Sequence, residues 1–220
     1  MMPMRPPGGP GAPPPQRPEL PSHWRTRDMH LEAAANLPSD TVTFLWVAPA
    51  LGQPGDTALD LAATILTDPD GRLQHDLVAP GLAVYVGARE ASSKRMSVFS
   101  ISVTVADGVP VARVVTALDH AVGDLSTLVR PEEYQRARDE WFDSLMLRLE
   151  TPLGRALRLV VSAAPPLHWD LERYDSIGPA DVAAAVRSNL IPDNRVVVLV
   201  HHDRAYLHQG VILSRKPGLP

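Results

Sequence analysis

Cysteine is absent from the 220-residue chain. That excludes a disulfide framework, a thiolate nucleophile and a cysteine-type zinc site, and it leaves the redox compartment open. Long apolar runs are missing too, and nothing approaches the ~18 consecutive apolar residues of a membrane-spanning helix. The first 20 residues carry Pro and Gly where a secretory signal would place its apolar segment, so no signal peptide is read. A soluble protein of undetermined compartment is expected. Basic charge is scattered: 21 Lys and Arg against 25 Asp and Glu give a formal net charge of −4, with no field suited to nucleic acid. There is no Gly-x-Ser-x-Gly elbow and no Gly-rich phosphate loop after a strand, since Gly8, Gly9 and Gly11 lie among prolines. Neither His-x-x-Glu-His nor His-Glu-x-x-His occurs, so no helix offers zinc two histidines one turn apart with an activating glutamate.

Apolar residues make up 45% of the chain, enough for the core of one large domain, or of a medium one with an appendage. Nine of the 23 prolines fall within the first 21 residues, a composition that favours extended polyproline-like chain and cannot pack a core. Residues 1–38 are therefore read as a Pro-rich arm or linker, 39–204 as the domain and 205–220 as a tail.

Within the domain, residues 42–48 (Val-Thr-Phe-Leu-Trp-Val-Ala) read as a buried strand. Asp56 is placed as the N-cap of a helix running to about Leu66, with Leu59, Ala62, Ala63 and Leu66 on one face. A turn at Asp68-Pro69-Asp70-Gly71 and a short helical segment at 72–77 follow. Two strands come next, at 82–88 and 96–105, joined by a hairpin at 90–95. In the second, Phe99, Ile101, Val103 and Val105 face one way and Ser100, Ser102 and Thr104 the other. Helices are expected after Pro110, from Pro131, over 152–163 and from Gly178-Pro179 to about Leu190, Pro165-Pro166 ending the third. A last strand covers 195–200. Glu132 and Glu133 suit the positive end of the helix that Pro131 opens, which leaves little need for a catalytic role. Such an order packs as α+β, an antiparallel-rich sheet with helices on one face.

Three histidines cluster near the C-terminus: His201, His202 and His208. Adjacent strand residues point to opposite faces, so His201 and His202 do not readily share an ion, and ordinary surface or half-buried histidines are expected. His75-Asp76 and Asp119-His120 are the adjacent acid–histidine pairs. Helical neighbours diverge by about 100°, so neither pair is expected to point at a shared site.

The order and spacing of several short motifs resemble the repeated domain of the pitrilysin–insulinase metallopeptidases and of mitochondrial processing peptidases. They are Gly71-Arg72-Leu73, Gly81-Leu82-Ala83, Phe99-Ser100-Ile101, the run from Glu132 to Arg138, Leu149-Glu150-Thr151-Pro152, and Leu190-Ile191-Pro192-Asp193-Asn194 before the last strand. The likeness spans roughly residues 40 to 202, and it implies a metalloenzyme LuxS/processing-peptidase-like fold. By resemblance, the first domain of such proteins holds zinc through His-x-x-Glu-His and a further glutamate, while the second lacks zinc and closes the substrate chamber. This chain resembles the second. The resemblance therefore implies no cofactor here, zinc on a catalytic partner domain or subunit carrying His-x-x-Glu-His, a peptide substrate, and no catalytic or metal residue in this chain.

Relatives with a substrate-binding second domain often place an Arg seven residues before a Tyr near the Gly-Leu-Ala strand. Aligned on Gly81-Leu82-Ala83, the Tyr position is Val84 and the Arg position Leu77, or Val78 with a one-residue gap. Tyr85 is one residue late, which on a regular strand reverses its face. The expectation is a non-catalytic, chamber-forming partner domain of a zinc metalloendopeptidase whose substrate-binding residues are unknown. The alternatives are a structural subunit with no peptidase role, or an independent zinc hydrolase using His201, His202 or His208.

Overall fold

The computed structural model describes residues 29–161, 167–202 and 214–216. The proline-dense stretch up to residue 28, residues 162–163 of the third expected helix, Pro165-Pro166 and His208 lie outside the described residues.

β2 (Thr41–Ala48) stands at the middle of the sheet. Val42, Phe44, Trp46 and Ala48 are buried while the residues between them are half-buried, the period of two that a strand dictates. β4 (Ser97–Val105) pairs antiparallel with it, setting Phe44 opposite Ile101 and Trp46 opposite Phe99. β3 (Ala83–Ala91) extends the sheet on that side, and β5 (Arg195–His202) pairs antiparallel with β2 on the other. Two further strands complete it: β1 (Met29–Ala35) runs parallel to β5, and the three-residue β6 (Ser214–Lys216) runs antiparallel to β1. The order is β3-β4-β2-β5-β1-β6, so the expected antiparallel-rich α+β architecture holds, with one parallel pair.

Two strands were not expected. β1 lies inside the stretch read as an arm, and β6 inside the stretch read as a tail. Met-His-Leu-Glu-Ala-Ala-Ala has neither β-branched residues nor clean alternation, and pairing with β5 and β6 makes it a strand. β3 also runs further than expected, to Ala91, so Glu90 is not in a hairpin loop but pairs with Phe99.

α1 (Asp56–Thr67) is buried almost all round, through Ala58, Leu59, Leu61, Ala62, Ala63, Ile65 and Leu66, as a central helix must be. It packs on β3 and β4 and against α3 (Pro131–Glu150), α5 (Leu167–Asp175) and α6 (Pro179–Asn189). Its cap is Gly55 in a left-handed conformation (φ 94°), not Asp56. The Asp56 carboxylate is engaged elsewhere, as described below. A short π-helical turn (Gln74–Val78), α2 (Val111–Thr127), α4 (Pro152–Val161) and a three-residue 3-10 turn (Pro192–Asn194) complete the helices among the described residues. α3 and α6 start where the sequence placed them, with Pro in the first turn and an acid at the third position turned back to the cap. α5 is not marked in the sequence, where Pro165-Pro166 signals a helix end, although proline equally precedes a new helix.

The buried residues of sheet and helices form one cluster. Trp46 ties the two layers together, its indole N–H donating to the Ile191 carbonyl at 3.0 Å while its ring meets Phe99 edge-on. At Gly71, an added Cβ would stand 2.7 Å from the Asp68 carbonyl oxygen and 2.8 Å from that of Ile65, both backbone atoms. Gly71→Ala is therefore expected to cost about 1–3 kcal/mol through forced backbone movement. Urea titration measures it, and an unchanged midpoint would show that the turn has slack.

Candidate functional site

β3 is an edge of the sheet, and its irregularity bears on the Tyr and Arg positions. Leu77 is fully buried under the domain, and Val78 packs half-buried against the core. A β-bulge falls between Ala83 and Tyr85: Ala83 pairs with Val105 and Tyr85 with Thr104, leaving Val84 as the extra residue. Simple alternation fails at this point. Val84 is 66% exposed and Tyr85 62%, with Ala83 and Val86 buried on either side. The bulge thus cancels the face reversal expected of a residue one place late. Tyr85 projects outward and lies over Gly87, where an added Cβ would meet the phenol oxygen at 2.8 Å.

The histidines are taken up by local contacts. His201 Nδ1 lies 3.4 Å from Asp40 Oδ2, the His202 amide donates to Asp40 Oδ1 at 2.7 Å, and the His202 ring contacts the Leu37 carbonyl. They fasten the end of β5 to the chain between β1 and β2. The two acid–histidine pairs behave differently from expectation. His75 and Asp76 bond each other, and His120 of the second pair joins them: Asp76 lies 2.8 Å from His75 Nδ1 and 3.0 Å from His120 Nδ1. Burial works against ionisation of Asp76, yet the hydrogen bonds from both histidines hold its carboxyl below the usual range. Asp119 turns the other way, to the buried Arg195 at the start of β5. Helical divergence separates Asp119 from His120 as anticipated but does not separate His75 from Asp76, and it says nothing of what the π-helical turn and α2 bring together from 44 residues apart.

A buried polar network at the start of α1 escaped the sequence reading entirely. Asp56, almost wholly buried, accepts from the Gly52 amide at 2.9 Å and the Ser92 hydroxyl at 3.1 Å, and pairs with Arg173 of α5. Arg173 also donates to Thr57 Oγ1 at 2.6 Å, and its guanidinium lies 4.3 Å from the Trp169 ring centre. One turn further along α1, Asp60 accepts from the Tyr174 hydroxyl, and Tyr174 stacks on Trp141 of α3 with ring centres 3.6 Å apart. Burial first, then the neighbouring Asp56 charge, pushes the Asp60 carboxyl up, against the Tyr174 hydrogen bond. The only signal in the sequence was the spacing of Asp56 and Asp60, four apart on one helical face.

The described residues do not fit zinc. Among the described residues no group of three or more His, Asp or Glu is placed to hold a metal. The family description "peptidase M16 inactive domain" matches residues 5–140, and the chain belongs to that family. The pitrilysin–insulinase resemblance is thereby shown.

Three solved structures illustrate the likeness. The inactive peptidase domain of a candidate zinc protease from Bordetella parapertussis is 26% identical, with a TM-score of 0.65 over 76% of this chain and 94% of that one. A protease from Helicobacter pylori is 15% identical with a TM-score of 0.68, matching 79% of this chain, which spans 45% of its length. A chain of complex III2 from Candida albicans is 16% identical with a TM-score of 0.67, covering 78% of this chain and 45% of that one. The last two likenesses are of fold. None of the curated proteins compared with the chain matches it. No helix among the described residues is long and apolar enough to cross a membrane.

Proposed function

We propose that this chain is the non-catalytic partner half of a zinc metalloendopeptidase and forms one wall of its peptide-binding chamber. The observation that carries the reading is the inactive-domain match, joined to described residues among which no group is placed to hold a metal. Hydrolysis would use zinc held by a separate domain or subunit carrying His-x-x-Glu-His. The edge strand β3 supports a wall role: an extended peptide adds to such an edge through main-chain hydrogen bonds, and Val84, Tyr85 and Arg89 stand exposed along it. In this reading the proline-rich stretch before β1 is a linker, and the two halves together have the processing-peptidase-like architecture.

The test is reconstitution with a chain that carries His-x-x-Glu-His. Expected are a stable complex, chelator-sensitive cleavage of an unfolded peptide by the mixture, little by either part, and zinc in the partner alone. Stoichiometric zinc in this purified chain, or failure to bind any such partner, overturns the proposal. A tight complex without cleavage favours the structural-subunit reading, to which the shared fold of the complex III2 chain lends support.

A further inference from the structure

Two open grooves, each of about 620 Å³, flank the contact between the π-helical turn and α2. Pro80, Ala112, Thr116 and Ala117 help to line the first, and Gly71, Thr127 and Leu128 the second. His75, Asp76 and His120 line both, so this trio is a bridge with open space on either side. Asp76 engages through both oxygens, Oδ1 to His75 Nδ1 at 2.8 Å and Oδ2 to His120 Nδ1 at 3.0 Å. His75 belongs to the turn itself, whereas His120 reaches over from α2. The His120 contact is therefore the one of the two that ties the elements together.

The surroundings favour a cation at His120. Asp124, one turn further along α2, stands 3.9 Å from the same Nδ1, so two carboxylates face the ring. Three guanidiniums line the grooves, and two of them, Arg72 and Arg130, are paired with Glu133, leaving Arg113 two turns back along α2. Asp70 lines the second groove, and Asp119 turns away to Arg195. The hydrogen bond with Asp76 first, then the Asp124 and Asp76 charges, raise the His120 imidazole above its ordinary 6.5. A charged ring bonds a carboxylate about twice as strongly as a neutral one. The neutral ring must also carry its single proton on Nδ1 to donate at all.

What the bridge holds is the chain that enters β3. The Leu82 amide donates to the Leu77 carbonyl and the Gly81 amide to that of Val78, each at 2.9 Å, and the Leu82 carbonyl accepts from the Ala106 amide at 3.1 Å. The bulge at Val84 follows two residues later. We propose that Asp76 and His120 form a proton-operated latch, in which the His120 imidazolium clamps the π-helical turn to α2 and loss of its proton loosens residues 74–82 and the entry to β3. The sign follows from the two folded values. A raised His120 contributes fully below pH 6.5 and is lost as pH rises through its folded value, while a lowered Asp76 contributes above 3.8 and is lost as pH falls through its own. The latch is thus closed in mild acid and open towards alkaline pH. It requires neither zinc nor a partner, so it stands apart from the chamber reading.

Amide hydrogen exchange of the full chain, compared with His120→Ala and Asp76→Asn at the same pH, is the test, because the intrinsic exchange rate then cancels. At pH 5.5 residues 74–82 of the wild type are expected to exchange at least about threefold more slowly than in either variant, the scale of an exposed charged pair. At pH 8.5 the three proteins are expected to exchange alike there. In a histidine-labelled chain followed by NMR, the His120 ring should titrate above 6.5 and move back towards it in Asp76→Asn. Equal exchange of wild type and His120→Ala at pH 5.5, a gap that persists unchanged to pH 8.5, or a His120 titration that Asp76→Asn leaves in place would each overturn the latch.

Discussion

Glu133→Ala is expected to remove about 3–5 kcal/mol of folding stability at pH 7, the cost of breaking a buried ion pair from one side. Glu133 is 3% exposed and receives three donors: Arg72 Nη2 at 3.0 Å, Arg130 Nη2 at 2.6 Å and the Arg130 amide at 3.0 Å. The first holds the turn before the π-helical segment to the start of α3. The other two close the cap of α3 itself. Truncation strands the Arg72 guanidinium, whose Nε already lacks a partner and whose Nη2 also donates to the Leu128 carbonyl at 2.6 Å. The effect has a pH signature. Burial opposes ionisation, but the two arginines and the amide win, pulling the carboxyl from 4.5 down to about 2. A folded value below the unfolded one means stability is fully present above pH 4.5 and is lost as pH falls from there to about 2, a contribution of about 3 kcal/mol. Urea unfolding of both proteins from pH 7 to pH 2.5 checks this. The gap between them must narrow in acid, and a gap that stays constant would mean the loss is packing rather than charge.

Glu90→Gln should act in the opposite direction, stabilising the isolated chain by about 1–3 kcal/mol at pH 8 and by almost nothing at pH 4. Here the folded carboxyl titrates near 9 and the unfolded one near 4.5. The folded state thus keeps a proton that the unfolded state gives up, and stability declines as pH rises through that interval. Glutamine imitates the neutral acid at every pH, so the variant escapes the decline. Thermal unfolding of both proteins at half-unit steps from pH 4 to pH 8.5 measures the divergence. Parallel curves would show that Glu90 ionises without penalty.

How far the fold is legible from the sequence varies by element. β2 and β4 declare themselves through alternation, since one face of each is buried and the other is not. α3 and α6 are announced by proline followed by an acid, a signal contained within four residues. β1 and β6 are illegible because Met29–Ala35 and Ser214–Lys216 become strands through partners far away in the chain. The bulge at Val84 is hidden for the same reason. It exists only as a mismatch between β3 and β4, yet it decides which way Tyr85 faces.

The inventory of chemistry was already complete in the linear chain. Without cysteine and without His-x-x-Glu-His, no arrangement of these 220 residues creates the family's zinc motif, because a motif on one helical turn is a property of neighbours in sequence. Placement was not in the inventory. That Asp56 meets Arg173, that Asp76 gathers histidines from two separate pairs, and that Glu90 lies buried without a hydrogen-bond partner all depend on contacts spanning from 1 to 117 residues. Those contacts are set when α1 is enclosed by sheet and helices, and burial then decides which carboxyls are held ionised and which are pushed to keep their protons.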